Sequence, residues 1–126
     1  MQTKTKFIIF IVLIVIIIGG VGIYVSLKPQ TPGKFDSFAQ CINDSGAKFY
    51  GAFWCSHCQD QKNDFGSSKQ YIPYVECANP DNTQKQICID EGIDGYPTWT
   101  FSDGSELSGR LSFEILAEKT QCVIPQ

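Results

Sequence analysis

Two cysteines separated by two residues, Cys55 and Cys58, enclose His57, the only histidine of this 126-residue chain. A pair with this spacing can cycle between a dithiol and a disulfide, which is redox chemistry. The exchange needs a first thiolate that is exposed and has a lowered pKa, and a second thiol within reach to resolve the mixed disulfide. The spacing therefore predicts Cys55 as the nucleophile and Cys58 as the resolving cysteine.

The flanking segments predict how this pair is positioned. An aromatic run ending at Trp54 precedes the pair and a polar run follows it, so a strand should lead into a helix that begins at the pair. The free N–H groups and the dipole of a helix amino end favour negative charge on Cys55. His57 would stabilise the same thiolate and favour disulfide donation or isomerisation. The alternative is a surface histidine with little influence.

The remaining pattern alternates helices and strands. Helices are predicted at 36–44, 55–65, 83–91 and 113–121, and strands at 48–53, 71–77, 98–101 and 106–108. This order predicts an α/β domain with a central mixed sheet and helices on both of its faces.

An uncharged apolar segment at 7–27 is long enough to cross a bilayer, which takes about 20 apolar residues as a helix. A cleaved signal peptide is the rival interpretation, but no small-residue cleavage site follows the segment. We therefore predict a cytoplasmic segment at 1–6, a transmembrane anchor at 7–27, a proline-containing linker at 28–34 and a globular domain at 35–126.

Cysteine usage and charge indicate where the globular domain lies. All 6 cysteines follow the apolar segment, and stable disulfides are typical of oxidising compartments. We therefore expect a single-pass protein whose N-terminus is cytoplasmic and whose domain lies on the outer, periplasmic or equivalent luminal face. All 13 acidic residues also lie in this domain, which argues against nucleic acid as a partner.

Three features together resemble the thioredoxin superfamily. They are the segment from Trp54 to Cys58, a Gly-Tyr-Pro-Thr segment at 95–98 ahead of two short strands, and an amphipathic helix at the end. The sequences of residues 48–55 and 74–77 most resemble those of the thioredoxin-like domains that are fused to, or partnered with, bacterial homologues of vitamin K epoxide reductase. The membrane reductase part has no counterpart in this sequence, so such a reductase would be a separate polypeptide.

The resemblance implies a three-layer, thioredoxin-like α/β/α fold and further site residues. A cis Tyr96-Pro97 bond would place the backbone of Tyr96 beside the cysteines, and Trp54 and Tyr96 would contact the substrate. The sequence departs from thioredoxins at Phe49, where they carry a buried acidic residue, and this argues against a general reductase. Glu76 is the nearest acidic candidate, with an edge or solvent position expected for it.

Four further cysteines can pair in three ways once Cys55 and Cys58 are set aside. We favour structural disulfides that join Cys77 with Cys88 and Cys41 with Cys122. A disulfide placed like Cys77–Cys88 also occurs in some protein disulfide isomerase domains. The alternative is that one of these pairs relays electrons to a membrane partner. Zinc is not expected, because the cysteines do not form two close pairs.

These inferences predict a membrane-anchored thiol-disulfide oxidoreductase that passes disulfides to exported, cysteine-containing proteins. A vitamin K epoxide reductase homologue would reoxidise it, so that quinone enters only indirectly and no cofactor is bound apart from the redox-active disulfide. The alternatives are an extracytoplasmic disulfide reductase or isomerase, and a non-catalytic binding module in which the Cys55–Cys58 disulfide is a permanent staple.

Overall fold

The computed structural model describes residues 2–26 and 31–126, in two units that comprise Met1–Thr31 and Pro32–Gln126. In the first unit, helix α1 spans Gln2–Ser26. Its Lys4–Tyr24 window has a mean hydropathy of 3.1, so α1 is long and apolar enough to cross a bilayer. Leu27 of the predicted anchor and residues 28–30 of the predicted linker lie outside the described residues.

The second unit alternates helices and strands. Its elements are α2 (Asp36–Asp44), β1 (Lys48–Gly51), α3 (Ser56–Asp64), a 3₁₀ helix (Gly66–Tyr71), β2 (Tyr74–Glu76), α4 (Gln86–Asp90), β3 (Thr98–Thr100), β4 (Glu106–Ser108) and α5 (Phe113–Thr120). The strands form one sheet in the order β2-β1-β3-β4. Strand β1 pairs in parallel with β2 and antiparallel with β3, so the sheet is mixed.

Residue alternation along β1 divides the core between the two faces of the sheet. Phe49 lies on one face, where it stacks on Trp99 with ring centroids 4.7 Å apart, and the cluster there includes residues of α2, α3 and α5. Tyr50 lies on the other face, in a smaller cluster with Cys88 of α4. The predicted three-layer α/β/α fold with a mixed sheet is confirmed.

Two predicted starts differ from the structure by three residues, and β1 ends at Gly51 instead of residue 53. Strand β2 begins at Tyr74 instead of residue 71, because a 3₁₀ helix runs to Tyr71 and Pro73 has no N–H for a ladder hydrogen bond. Helix α4 begins at Gln86 instead of residue 83, because the bridge between Ala78 and Gln84 keeps the preceding chain extended.

Candidate redox site

Cys55 lies at the amino end of α3, as the strand-to-helix pattern predicts. It is the N-cap residue, with φ of −80° and ψ of 114°, and its Sγ accepts the backbone N–H of Cys58 at 3.2 Å. A sulfur in this position receives both a hydrogen-bond donor and the positive end of the helix dipole. The backbone is therefore arranged to stabilise negative charge on Cys55 Sγ.

Cys55 and Cys58 are joined by a disulfide, with Cα atoms 5.3 Å apart. Cys55 is 7% exposed and Cys58 is fully buried. The order of accessibility is the one that a nucleophile and a resolving cysteine need, but the marked exposure expected for Cys55 is absent in this disulfide state. An attacking thiolate must therefore reach Cys55 through a narrow opening.

Aromatic side chains flank that opening. Trp54 is 54% exposed and lies edge-on to Tyr96, with ring centroids 5.9 Å apart. The Tyr96-Pro97 peptide bond is cis. A cleft of about 170 Å³ is lined by Trp54, Tyr96 and polar residues such as Asn82 and Gln84. A surface of this kind can hold an extended peptide, although the roles predicted for these residues in substrate binding stay predictions.

His57 lies on the solvent side of α3. Its side chain is 74% exposed, and its Nδ1 is 4.0 Å from Oδ2 of Asp60, one turn further along the helix. This orientation pairs the imidazole with a carboxylate in the disulfide state. The predicted stabilisation of the Cys55 thiolate by His57 remains a prediction.

Phe49, where thioredoxins carry a buried acidic residue, lies among aromatic side chains. Phe49 is fully buried between Tyr74, at a ring distance of 5.3 Å, and Trp99.

Glu76 occupies the edge strand β2, as expected, but its carboxylate is half-buried and hydrogen-bonded. Local sequence signals could not predict that this carboxylate contacts the segment before the redox pair, because its contacts depend on the parallel register of β1 and β2.

Gln61 is a site residue that the sequence analysis missed. It is fully buried one turn after Cys58. Its Oε1 accepts the N–H of Leu111 at 2.7 Å and Nε1–H of Trp99 at 3.3 Å, and its Nε2 donates to the Leu111 carbonyl at 3.1 Å. Gln61 thereby fixes α3 to β3 and to the segment before α5. The buried residues Cys58 and Gln61 are three apart, which is a helical spacing, but a buried glutamine gives no hydrophobic signal.

The other four cysteines form the disulfides Cys41–Cys122 and Cys77–Cys88, with sequence separations of 81 and 11. Sγ of Cys122 lies 3.6 Å from the Thr120 carbonyl oxygen, just after the end of α5. Sγ of Cys77 lies 3.8 Å from the Val75 carbonyl oxygen. A carbonyl oxygen repels a thiolate where an N–H attracts it, so the backbone favours a thiolate at Cys55 over these two positions.

No family model matches the chain. It is 44% identical over 90 residues to the thiol-disulfide oxidoreductase LTO1 of Arabidopsis thaliana. The aligned region covers 67% of this chain and 23% of that protein. The chain is 39% identical over 83 residues to a thioredoxin domain-containing protein 5 homologue of Drosophila melanogaster, covering 57% of this chain and 19% of the relative. A probable protein disulfide-isomerase ER-60 of Schistosoma mansoni is 33% identical over 88 residues, covering 63% and 17%.

The chain thus spans less than a quarter of the length of these relatives. Their names and the fold of the second unit support a thiol-disulfide oxidoreductase of the thioredoxin superfamily. The Cys55–Cys58 disulfide is the group in the structure that suits this chemistry, because it combines the helix amino end with an accessible aromatic rim.

Proposed function

We propose that this chain is a membrane-anchored thiol-disulfide oxidoreductase that donates the Cys55–Cys58 disulfide to cysteine-containing proteins during their export. The observation that carries the proposal is the disulfide at the amino end of α3, where Cys55 Sγ accepts the N–H of Cys58. Helix α1 would be the anchor, with a cytoplasmic N-terminus and the redox domain on the outer face.

Donation takes place by two displacements at sulfur. A substrate thiolate attacks Cys55 Sγ, the Cys55–Cys58 bond breaks, and Cys58 leaves with the electron pair. A second substrate thiolate then attacks the substrate sulfur of the mixed disulfide and releases Cys55. The substrate loses two electrons and the cysteine pair gains them. The N–H of Cys58 and the helix dipole stabilise the released Cys55 thiolate, with His57 as a further proposed donor.

The rim around Cys55 would bind an unfolded segment of the substrate. Trp54 supplies exposed aromatic surface, and the cis Tyr96-Pro97 bond turns the backbone of Tyr96 in the segment before β3. We infer that Trp54 and Tyr96 contact substrate residues beside the cysteine that attacks, and that Pro97 positions this segment. Aromatic contacts of this kind accept many sequences, which suits a protein that acts on varied substrates.

Each donation leaves a dithiol that must be reoxidised. By its resemblance to domains that work with vitamin K epoxide reductase homologues, we propose that such a membrane protein accepts the two electrons and passes them to a quinone. The chain itself would bind no cofactor. The relative named as a probable protein disulfide-isomerase favours isomerisation as the second candidate function.

The proposal is tested with the full chain in detergent micelles and a reduced, unfolded substrate protein. The oxidised wild type should form substrate disulfides, whereas Cys55→Ala should form none. The matched control is Cys41→Ala combined with Cys122→Ala, which removes a disulfide outside the site and should keep the activity wherever the protein is folded. Equal activity of the wild type and Cys55→Ala would contradict the proposal and favour a non-catalytic binding module.

Two further measurements test the direction of electron flow and the reoxidation of the cysteine pair. Cys58→Ala should accumulate mixed disulfides with exported proteins and with the membrane reductase, which can be identified by mass spectrometry. Thiol trapping in cells should find the wild-type pair mostly oxidised. A pair that is almost wholly reduced in cells would instead indicate a reductase or isomerase.

A further inference from the structure

The carboxylate of Glu76 is held beside the redox disulfide by three hydrogen bonds. Its Oε1 accepts the backbone N–H of Phe53 at 3.1 Å and that of Ala78 at 2.9 Å, and its Oε2 accepts the hydroxyl of Tyr74 at 2.9 Å. Phe53 is two residues before Cys55. The carboxylate therefore lies against the segment that leads into the cysteine pair.

Strand register places Glu76 on the side of the sheet that faces Cys58. Glu76 and Gly51 are register partners in the parallel β1–β2 pair, so they face the same side of the sheet. A methyl group built on Gly51 would lie 3.0 Å from Cys58 Sγ and 2.8 Å from Cε2 of Tyr74. Gly51 thus leaves the space in which the buried sulfur and the Tyr74 ring come together, and the hydroxyl of the same tyrosine donates to the carboxylate of Glu76.

Lys62, Tyr74 and Tyr96 interact electrostatically with the carboxylate. Lys62 of α3, one turn after Cys58, lies over the Tyr74 ring with Nζ 3.2 Å from the centroid. Burial lowers the pKa of Lys62, the charge of Glu76 opposes this, and Lys69 of the 3₁₀ helix adds to the lowering. Burial and the bond to Glu76 raise the pKa of Tyr74, so its hydroxyl stays protonated and donates at neutral pH.

We propose that Glu76 accepts the proton of the Cys58 thiol when Cys58 resolves a mixed disulfide, with Tyr74 and Lys62 positioning the carboxylate. A buried thiol must lose its proton to attack, and a carboxylate within reach, directly or through one water, can take it. This inference rests on the proposed function, since it concerns a step of the same exchange.

The resolving step moves one proton and one pair of electrons. Cys58–SH gives its proton to Glu76, and the sulfur attacks Cys55 Sγ of the mixed disulfide. The Cys55–Cys58 bond forms, the bond from Cys55 to the partner sulfur breaks, and the partner leaves as a thiolate that takes up the proton. Cys58 is oxidised and the partner sulfur is reduced. In donation the same path runs backwards, and Glu76 returns the proton to Cys58 as it leaves.

The test separates the attack of Cys55 from the resolving step. The reduced full chain in detergent is mixed with increasing concentrations of oxidised glutathione, and the reaction is followed by tryptophan fluorescence. The slope at low glutathione reports the attack by Cys55, and the plateau rate reports resolution by Cys58. Glu76→Gln should lower the plateau at neutral pH by about tenfold to a hundredfold and should change the slope by no more than about twofold.

Matched variants distinguish this role from structural effects. Glutamine keeps an oxygen for the N–H groups of Phe53 and Ala78, and circular dichroism checks the fold. Glu106→Gln removes the same charge from β4, at the opposite edge of the sheet, and should leave the plateau unchanged. Tyr74→Phe keeps the carboxylate but removes its O–H donor, and should move the pH profile of the plateau to higher pH.

An unchanged plateau in folded Glu76→Gln, or an equal loss in Glu106→Gln, would overturn the inference. If Glu76→Gln does not fold, an unchanged profile in Tyr74→Phe would overturn it. These outcomes leave the proposed function intact, because the wild type still exchanges. A wild type that does not react with oxidised glutathione would instead overturn the proposed function, and this inference with it.

Discussion

The Cys55–Cys58 and Cys41–Cys122 disulfides are the same chemical bond in two different settings. Accessibility does not single out the Cys55–Cys58 bond, because Cys55 is 7% exposed and Cys58 is fully buried, whereas Cys122 is 5% exposed and Cys41 is half-buried. The backbone does: Sγ of Cys55 accepts an N–H at the start of a helix, whereas Sγ of Cys122 faces a carbonyl oxygen just after the end of one. We therefore expect the position of a sulfur relative to a helix end to be a better guide to its reactivity in this domain than its exposure.

The two bonds also differ in the loops that they close. Their sequence separations are 3 and 81. On the loop-entropy model the short loop stabilises the fold by about 2 kcal/mol and the long one by about 4.5 kcal/mol. Opening the Cys55–Cys58 bond would therefore cost the domain less stability than opening Cys41–Cys122. The two settings suit a bond that exchanges and a bond that clamps α2 to the end of α5.

The largest expected effect comes from removing the clamp. Replacing both Cys41 and Cys122 by alanine should lower the free energy of unfolding by about 2–5 kcal/mol, because the unfolded chain loses its longest crosslink. The rate of exchange at Cys55 should be retained at temperatures where the variant is folded. Denaturant unfolding followed by circular dichroism measures the first quantity. A loss below about 1 kcal/mol would remove the stability contrast between the two disulfides.

A smaller effect is expected where the backbone closely approaches the redox disulfide. Gly51→Ala would place a methyl group 3.0 Å from Cys58 Sγ and 2.8 Å from Tyr74 Cε2, and such overpacking costs about 1–3 kcal/mol. It should also slow the exchange. Gly95→Ala is the matched control for the unfolding midpoint, because no atom outside its chain neighbours lies within 4 Å of its added Cβ. If Gly51→Ala had the unfolding midpoint of Gly95→Ala and the exchange rate of the wild type, the space at Gly51 would not be needed.

The smallest expected effect is the contribution of Tyr74 to the free energy of unfolding at alkaline pH. Burial, the bond to Glu76, the charge of Glu76 and Tyr96 raise the pKa of Tyr74 above its ordinary 10.0. The unfolded state then loses this proton first and binds fewer protons, so Tyr74 makes the free energy of unfolding fall as pH rises above about 10. Lys62, whose pKa is lowered by burial, acts in the opposite direction, so the difference between variants is the quantity to measure.

Tyr74→Phe should remove the contribution of Tyr74 to this alkaline decline, as measured by denaturant unfolding at several pH values. In the folded protein, Glu76→Gln should shift Tyr74 ionisation to lower pH in ultraviolet absorbance, because the nearest negative charge is gone. An ionisation curve that does not move would contradict the close pairing of Tyr74 and Glu76 beside Cys58.

The sequence predicted the elements that have strong local signals. The spacing of Cys55 and Cys58 between an aromatic run and a polar run located the start of α3, and α2 and β4 have the predicted bounds. Alternating elements were enough to predict the mixed sheet and its layers. The missed boundaries lie where a tertiary contact, such as the Ala78–Gln84 bridge, or a proline overrides local propensity.

The surroundings of Cys58 could not be predicted in the same way. Glu76 reaches the N–H of Phe53 across 23 residues, and Gln61 reaches Leu111 across 50. Such contacts depend on strand register and on helix placement, which a single sequence does not encode locally. Polar residues at these positions look like ordinary surface until the sheet is assembled.

The proposed function requires that Cys55–Cys58 be the disulfide that opens. The direct measurement is mass spectrometry of thiols alkylated in the full chain after equilibration in glutathione buffers of increasing reducing strength. We predict that the peptides containing Cys55 and Cys58 are alkylated first, while those of the other two disulfides stay protected. Opening of Cys41–Cys122 or Cys77–Cys88 at the same or weaker reducing strength would contradict the account.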